Sequence, residues 1–439
     1  MIFLLFQEPV LQPHTPVIRR WAGFAIVSAF FFLITAGTFS SLGVVLPYMI
    51  EEFSWSWSQA GIGFSLFALM VGLAGTAPAW TLSRFGTQTC FGIGGLLMLT
   101  GFSLLALAPG LPQYYVAVLF LGVGYALCAA VPGIHIINHW LPDRRSFAIG
   151  AYMMIGGLGA VAGPLMVTGI IALTDSWRLH WWVMAAGIGF LSVLALLFVR
   201  DRSVSDTAQA GDSGESAAEE QRSERVYTTG TDWTFGEALR TPQYYVIVFA
   251  LTATLMCTLT MNSWAFTHMT SLNIPAAFAA GALAANGAVN AMSRLLGGAL
   301  ATRIDPKWLL FGALCCEAVG MIALSMASNP VMIALFVLGE GIGFGMVFFA
   351  TAMLLVNYFG TTHNPIIFGT MNTITTFAMV GPVLAGLMAE SLGSFAYTYQ
   401  VFAVLLIVMA IAVGSMRPPR RRVPSDPVSV EPSGDNAAT

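Results

Sequence analysis

Charge is what this chain is short of. Asp, Glu, Lys and Arg make up 9% of its 439 residues, where soluble globular chains carry about a quarter. A chain so poor in charge cannot coat a compact body with solvated side chains, which excludes an ordinary soluble domain. Cysteine is scarce too. The five, Cys90, Cys128, Cys257, Cys315 and Cys316, lie in apolar runs without ligand-like spacing to histidine, and read as small core residues, not disulfides or metal ligands. No phosphate loop, nucleophile elbow, zinc signature or paired catalytic carboxylates are present, and the polar stretches are too short for a catalytic or signalling domain. Neither an enzyme nor a receptor is expected, nor any cofactor. A net charge of −3 without a basic patch argues against nucleic acid as a partner. The apolar start 1–6 is followed by Gln7 and Glu8 and lacks the charged beginning and length of a signal peptide.

What fills the chain is apolar: 57% of residues. About twenty such residues cross a hydrocarbon core of about 30 Å. Twelve runs qualify, at 21–49, 58–82, 89–108, 113–137, 146–173, 178–199, 242–269, 276–302, 307–327, 330–357, 365–390 and 395–416. The expected class is an all-α membrane protein embedded in a bilayer. With the amino terminus in the cytoplasm, Arg19, Arg20, Arg84, Arg144, Arg145, Arg200, Arg202, Arg222, Arg225, Arg240, Arg303, Lys307, Arg417, Arg420, Arg421 and Arg422 share that side, 16 of the 18 basic residues. Arg178 faces out and Arg294 falls within a span. The positive-inside rule then places both termini inside a cell membrane.

Between 201 and 241 the sequence turns polar, and AGDSGESAAEEQRSER reads as a solvated linker. The expected organisation is a tail at 1–16, a six-helix bundle at 17–199, a disordered linker at 200–241, a second bundle at 242–416 and a basic tail at 417–439. An offset of 219 pairs Gly122 with Gly341, Gly124 with Gly343, Asn138 with Asn357, Gly150 with Gly369 and Arg84 with Arg303; an offset of 218 pairs Gly163-Pro164 with Gly381-Pro382. Two related bundles that rock around a central cavity follow from such a repeat.

Three segments carry a family resemblance: LPYMIEEFSWSWSQAGIGFSLF, NHWLPDRRSFAIGAYMMIGGLGAVAGP and NAMSRLLGGALATRID. From 36 to 416 the chain resembles the major facilitator superfamily, and within it the bacterial relatives of the monocarboxylate transporters and oxalate/formate exchangers. The superfamily's loop pattern after span 2 survives as Ser83-Arg84-Phe85-Gly86 without its aspartate, and its symmetric copy as Arg303-Ile304-Asp305. These residues either gate or cap helix ends. In span 5, Gly150, Gly159 and Gly163-Pro164 match the spacing of a motif of superfamily antiporters, and plain helix packing explains them equally.

Arg294 stands out. Nine residues of helix before Arg303 place it roughly 13 Å deep, where an ionisable side chain marks a functional site by default. Its planar fork matches a carboxylate; the competing reading is a structural ion pair. The resemblance implies an aspartate one turn earlier and makes the arginine a substrate anchor, but here that position is Asn290, which cannot release a proton. Glu340, at mid-depth in span 10, is the candidate proton carrier, a switch partner for Arg294 or a static counterion. Glu317 in span 9 reads as a hydrogen-bonded core acid. Thr38, Asn262, Tyr152 and Asn372, with Ser40 and Ser41, either line the cavity or bond across helices. His135 and His139 are a weak metal signal, better read as interfacial. Taken together, the expectation is a secondary transporter of a small organic anion, most simply a monocarboxylate, by proton symport or exchange; proton-driven efflux of amphipathic compounds is the alternative.

Overall fold

The computed structural model describes residues 17–141, 144–199, 227–229, 232–300, 304–360 and 362–419. Both tails apart from 17–20 and 417–419, the acidic stretch of the linker and Arg303 lie outside them. Among the described residues every regular element is helical, as a bilayer requires of backbone groups that find no water. Span 1 is Arg20–Phe53, spans 2 and 3 share Trp57–Ala106, and spans 4 to 6 are Leu111–Asn138, Phe147–Thr174 and Trp177–Phe198. Span 7 is Pro242–Ser271 and span 8 is Ala276–Leu300. Spans 9 to 12 are Pro306–Ser325, Pro330–Phe359, Ile366–Leu392 and Ala396–Ser415. All twelve expected spans are present, but spans 2 and 3 join at a sharp bend rather than a loop. The chain turns there at Gly86, whose φ of 76° glycine adopts without a Cβ penalty.

Local chemistry sets the helix starts. Thr241 and Asn329 cap spans 7 and 10 by accepting from the amides of Tyr244 and Met332, each followed by a proline at the first position. Such caps are worth about 1 kcal/mol each. Four spans are broken midway: span 1 by a π segment at Ala36–Ser40, span 2 by a 3-10 turn at Ala74–Thr76, span 4 at Ala129, and span 11 by a 3-10 turn at Thr376–Met379. Interrupted spans of this kind are tolerated where protein or water, not lipid, meets the freed backbone.

The two halves repeat one packing plan. Span 3 packs on spans 4 and 6 as span 9 packs on spans 10 and 12, and span 2 packs on span 4 as span 8 packs on span 10. Two of the glycine pairs make these contacts, whereas Gly150 and Gly369 have open space beside them. A Cβ on Gly122 would meet Met70 of span 2 at 2.5 Å, and one on Gly341 would meet Val289 of span 8 at 2.8 Å. Gly124 likewise faces Met98 of span 3, and Gly343 faces Glu317 of span 9. In span 5, Gly159 and Gly163 serve packing as well: Gly163 lies against the Ala36 carbonyl of span 1.

The halves meet through spans 1 and 7, 2 and 11, and 5 and 8. On the side away from the termini, here the far side, that meeting is tight. Gly43 of span 1 abuts the Asn262 carbonyl of span 7, and Trp57 packs on Phe395 with rings 5.1 Å apart. Glu390, at the end of span 11, accepts from the Ser58 amide at 2.7 Å and its hydroxyl at 3.1 Å. Ser58 belongs to the first turn of span 2, so a carboxylate completes a helix N-terminus of the other half. Within the first half, Arg178 pairs with Glu52 at 2.7 Å on the same side. On the near side, the end of the connecting segment is folded, a departure from a linker expected to be disordered to 241. Thr229 and Trp233 donate backbone hydrogen bonds to the carbonyls of Asn357 and Phe359 at the end of span 10, and Trp233 is buried.

The Glu390 contact predicts a gate phenotype. In Glu390→Ala, a cysteine introduced at Asn262 should react with a membrane-impermeant maleimide on the order of fivefold faster, the equivalent of about 1 kcal/mol of lost far-side closure. Unchanged labelling would show that the contact carries no share of the seal.

Candidate functional site

Span 8 presents Asn286, Asn290 and Arg294 at intervals of four, one above another on a single face. Arg294 donates from Nε to Asn290 Oδ1 at 3.0 Å. Its guanidinium stands 5.5 Å from the ring centre of Phe344 in span 10, and Tyr125 of span 4 and Glu340 of span 10 lie within its electrostatic reach. Tyr125 belongs to the opposite half, so the arginine looks across the interface. Its side chain is nonetheless exposed. Together with the closed far side, that exposure is what a cavity between the halves, open on the near side, would give.

Among the described residues Arg294 makes no ion pair, and its two terminal nitrogens donate to no protein group. Four N–H donors of a planar fork therefore face the cavity, matched to the two oxygens of a carboxylate. Glu340 does not close onto the arginine. It is fully buried, with Oε2 accepting from Asn286 Nδ2 at 2.6 Å and Oε1 from Thr258 at 3.1 Å. Asn290 thus braces the arginine while Asn286, one turn further in, holds the acid.

The other expected residues divide. Asn262 lines a small chamber between the halves with Ser40, Met261 and Asn286, and Asn372 is exposed on span 11. Thr38 and Tyr152 are not brought to the site. The Thr38 hydroxyl returns to its own helix, to the Ile34 carbonyl at 2.6 Å. The Tyr152 hydroxyl donates to Ala129 at 3.0 Å and spans the break in span 4; both residues are buried. Of the loop residues, Arg84 is exposed over the Trp80 ring. Asp305 caps span 9 by accepting from the Lys307 amide at 2.8 Å, a helix-end role. The His139 side chain and Arg303 lie outside the described residues, among which no metal-binding group occurs.

Sequence reasoning missed Tyr125, Phe344, Asn286, Thr254 and Thr258. A signal for the aromatics existed: Tyr125 and Phe344 are 219 apart, the repeat offset, so each half sets an aromatic ring beside Arg294 at the corresponding place.

A scan against protein families matches residues 28–380 to the Major Facilitator Superfamily. The chain is 24% identical over 223 residues to the oxalate:formate antiporter of Oxalobacter formigenes, covering 47% of this chain and 49% of that one. It is 31% identical over 173 residues to human monocarboxylate transporter 11, covering 38% and 36%. The matches thus span half or less of these relatives. Among solved structures, a bacterial homologue of the human lysosomal transporter Spinster, inward-facing and unoccupied, superposes with a TM-score of 0.67 at 16% identity, covering 90% of this chain and 95% of that one. The chain belongs to the Major Facilitator Superfamily, a family of membrane transporters rather than enzymes.

Proposed function

We propose that this protein is a secondary transporter that carries a small organic anion, most simply a monocarboxylate, by alternating access between its two bundles. One observation carries the reading: Arg294 sits deep in the bundle, reaches the cavity and lacks a carboxylate partner. A guanidinium deep in the bundle with no carboxylate bonded to it is costly, and a substrate carboxylate supplies that bond in bidentate geometry. Asn290 holds the guanidinium plane and Phe344 stands beside it, while Tyr125 lies within its electrostatic reach. The names of the relatives, an oxalate:formate antiporter and a monocarboxylate transporter, support the same substrate class. Glu340, an acid one helix away and electrically coupled to the arginine, is the proton site, which makes symport the simplest coupling. The distribution of basic residues supports a cell-membrane location with termini in the cytoplasm; the cavity then opens inward.

In liposomes, Arg294→Ala should abolish saturable uptake of a radiolabelled short carboxylate, while Arg84→Ala should retain it. Arg294→Lys should weaken half-saturation at least about tenfold, because an ammonium keeps the charge but loses the planar fork; normal transport by the lysine variant would rule out bidentate recognition. Asn290→Asp places a competing carboxylate beside Arg294 Nε. Its apparent affinity for substrate should fall about tenfold at neutral pH and recover as the medium is acidified, measured by uptake across a pH series. An affinity independent of pH would show that no such pair forms. Glu340→Gln should take up substrate without the external alkalinisation that accompanies wild-type uptake; an unaltered pH trace would remove Glu340 from coupling.

A further inference from the structure

Glu317 has no part in the site described so far. It lies in span 9, fully buried, on a helix that packs against spans 10 and 12 and does not border the cavity. One of its oxygens is held: Oε2 accepts from Thr254 at 2.8 Å. The other, Oε1, is buried and meets no hydrogen-bond partner. Buried oxygens rarely stay unmatched, and an orphan carboxyl oxygen in a dry interior is where a proton belongs.

Two features place Glu317 beside Glu340. Spans 9 and 10 are pressed together through glycine: a Cβ on Gly320 would meet the Glu340 amide nitrogen at 2.5 Å, and one on Gly343 would meet the Glu317 Cβ at 2.6 Å. The helices run antiparallel, so each acid faces a glycine three residues along from the other acid, and the two lie about one turn apart. Both also reach the same helix. Thr254 bonds Glu317 and Thr258 bonds Glu340, and these threonines are four apart on span 7, again one turn.

The repeat shows that the fold does not need these polar groups. At the 219 offset, Glu317 corresponds to Met98, Glu340 to Leu121 and Asn286 to Phe67. All three counterparts are buried hydrophobics in equivalent contacts of the first half. The same packing therefore closes with apolar side chains, and the second half has replaced them with two acids and the amide that holds one of them. Among the described residues, the titratable or charged groups facing the acids from neighbouring helices are Cys257 on span 7 and Arg294 on span 8. Span 12 contributes Tyr399, which packs on His268 instead.

We propose that Glu317 is a positioning residue that shares the coupling proton with Glu340, so that the two carboxyls titrate as one unit. The inference rests on the reading of Glu340 as the proton site. Two adjacent carboxyls in a dry interior keep at least one proton between them. In the empty carrier one proton and one negative charge reside on the pair, and that charge balances Arg294. When an anion reaches Arg294, the pair takes a second proton from cavity water, and anion and proton are released together. Each state has no net charge in the bundle.

Glu317→Gln separates this role from a structural one. Glutamine matches a permanently protonated glutamate in shape, so a merely structural Glu317 leaves the pH profile of uptake unchanged. If the proton is shared, glutamine can neither give up a proton nor carry the pair's negative charge, which then rests on Glu340 alone. Glu340 then takes its proton more readily, and the midpoint of proton-driven uptake moves about one unit to higher pH while thermal unfolding is unaltered. Should Glu317→Gln fail to fold, Thr254→Val, which frees Glu317 Oε2, is expected to shift the profile in the same direction. A superimposable profile in whichever variant folds overturns the proposal. A substrate-free readout distinguishes its failure from failure of the transport reading. Infrared difference spectra on acidification should show one protonated-carboxyl signal altered by both Glu317→Gln and Glu340→Gln. Two independent, additive signals overturn the pair even if transport stands, whereas a common signal without carboxylate uptake leaves the pair and removes the transport reading. Uptake driven by a sodium gradient and indifferent to pH overturns both.

Discussion

A guanidinium held near the middle of a hydrocarbon-thick bundle without a carboxylate beside it is the constraint on which the rest of this structure turns. Arginine cannot escape by shedding its proton, so the protein must hydrate it, pair it or lend it to a ligand. Hydration requires a water-filled cavity at depth, and a cavity requires two bundles that part on one side. Water must not also run through, so the far side has to be sealed, which the spans 1 and 7 contact and the Ser58–Glu390 bonds accomplish. The mid-span breaks in spans 1, 2, 4 and 11 belong to the same economy, because irregular backbone survives at this depth only where protein or water meets it.

The two halves share a packing plan but not a chemistry. Arg294 corresponds to Gly75, Asn290 to Val71, Asn286 to Phe67 and Glu340 to Leu121. The first half supplies an apolar wall and one aromatic ring, Tyr125, where the second supplies a cation, an acid and the amides that hold them. A rocking motion of such halves changes what faces Arg294 without disturbing the bonds that orient it, since those bonds lie within spans 7, 8 and 10. On the proposed reading, recognition stays rigid while access changes.

The fold was legible in the sequence because apolar runs and their length are a one-dimensional signal. The repeat was legible because its glycines mark close helix contacts that both halves must make. Arg294 drew attention because a charge in an apolar run has few innocent explanations, and Asn290 because it stands where the resemblance implies an aspartate. Thr38 and Tyr152 were not separable from true lining residues, because a hydroxyl can satisfy itself on the preceding turn or a nearby carbonyl, and helix rotation decides which. The same ambiguity hid Thr254, Thr258 and Asn286, whose value comes only from the acids opposite them. The joined spans 2 and 3 escaped because the polar stretch 83–89 reads as a loop, whereas the structure keeps it helical and turns the chain at Gly86 alone. The folded end of the connecting segment escaped because its anchor is the backbone at the end of span 10, which composition does not register.

Charge balance explains why an acid that can change its protonation belongs near such an arginine. Moving a net charge through a low-dielectric bundle costs several kcal/mol even after relaxation, so a carrier that crosses its cycle in both directions gains from neutrality when loaded and when empty. An arginine alone is neutral only when its anion is bound, and the empty return would then carry the bare cation. A single ionised carboxylate corrects the empty state but leaves a surplus negative charge once the anion arrives. A carboxyl site that can gain one proton upon loading corrects both states. Placing that site one helix behind the arginine, on bonds from Asn286 and Thr258 rather than on the guanidinium itself, keeps the fork open for the substrate. Direct pairing of Glu340 with Arg294 would achieve neutrality in the empty state only by occupying the binding groups, and every substrate would have to displace it. The separation of the two groups is therefore what allows one arginine to remain both compensated and available.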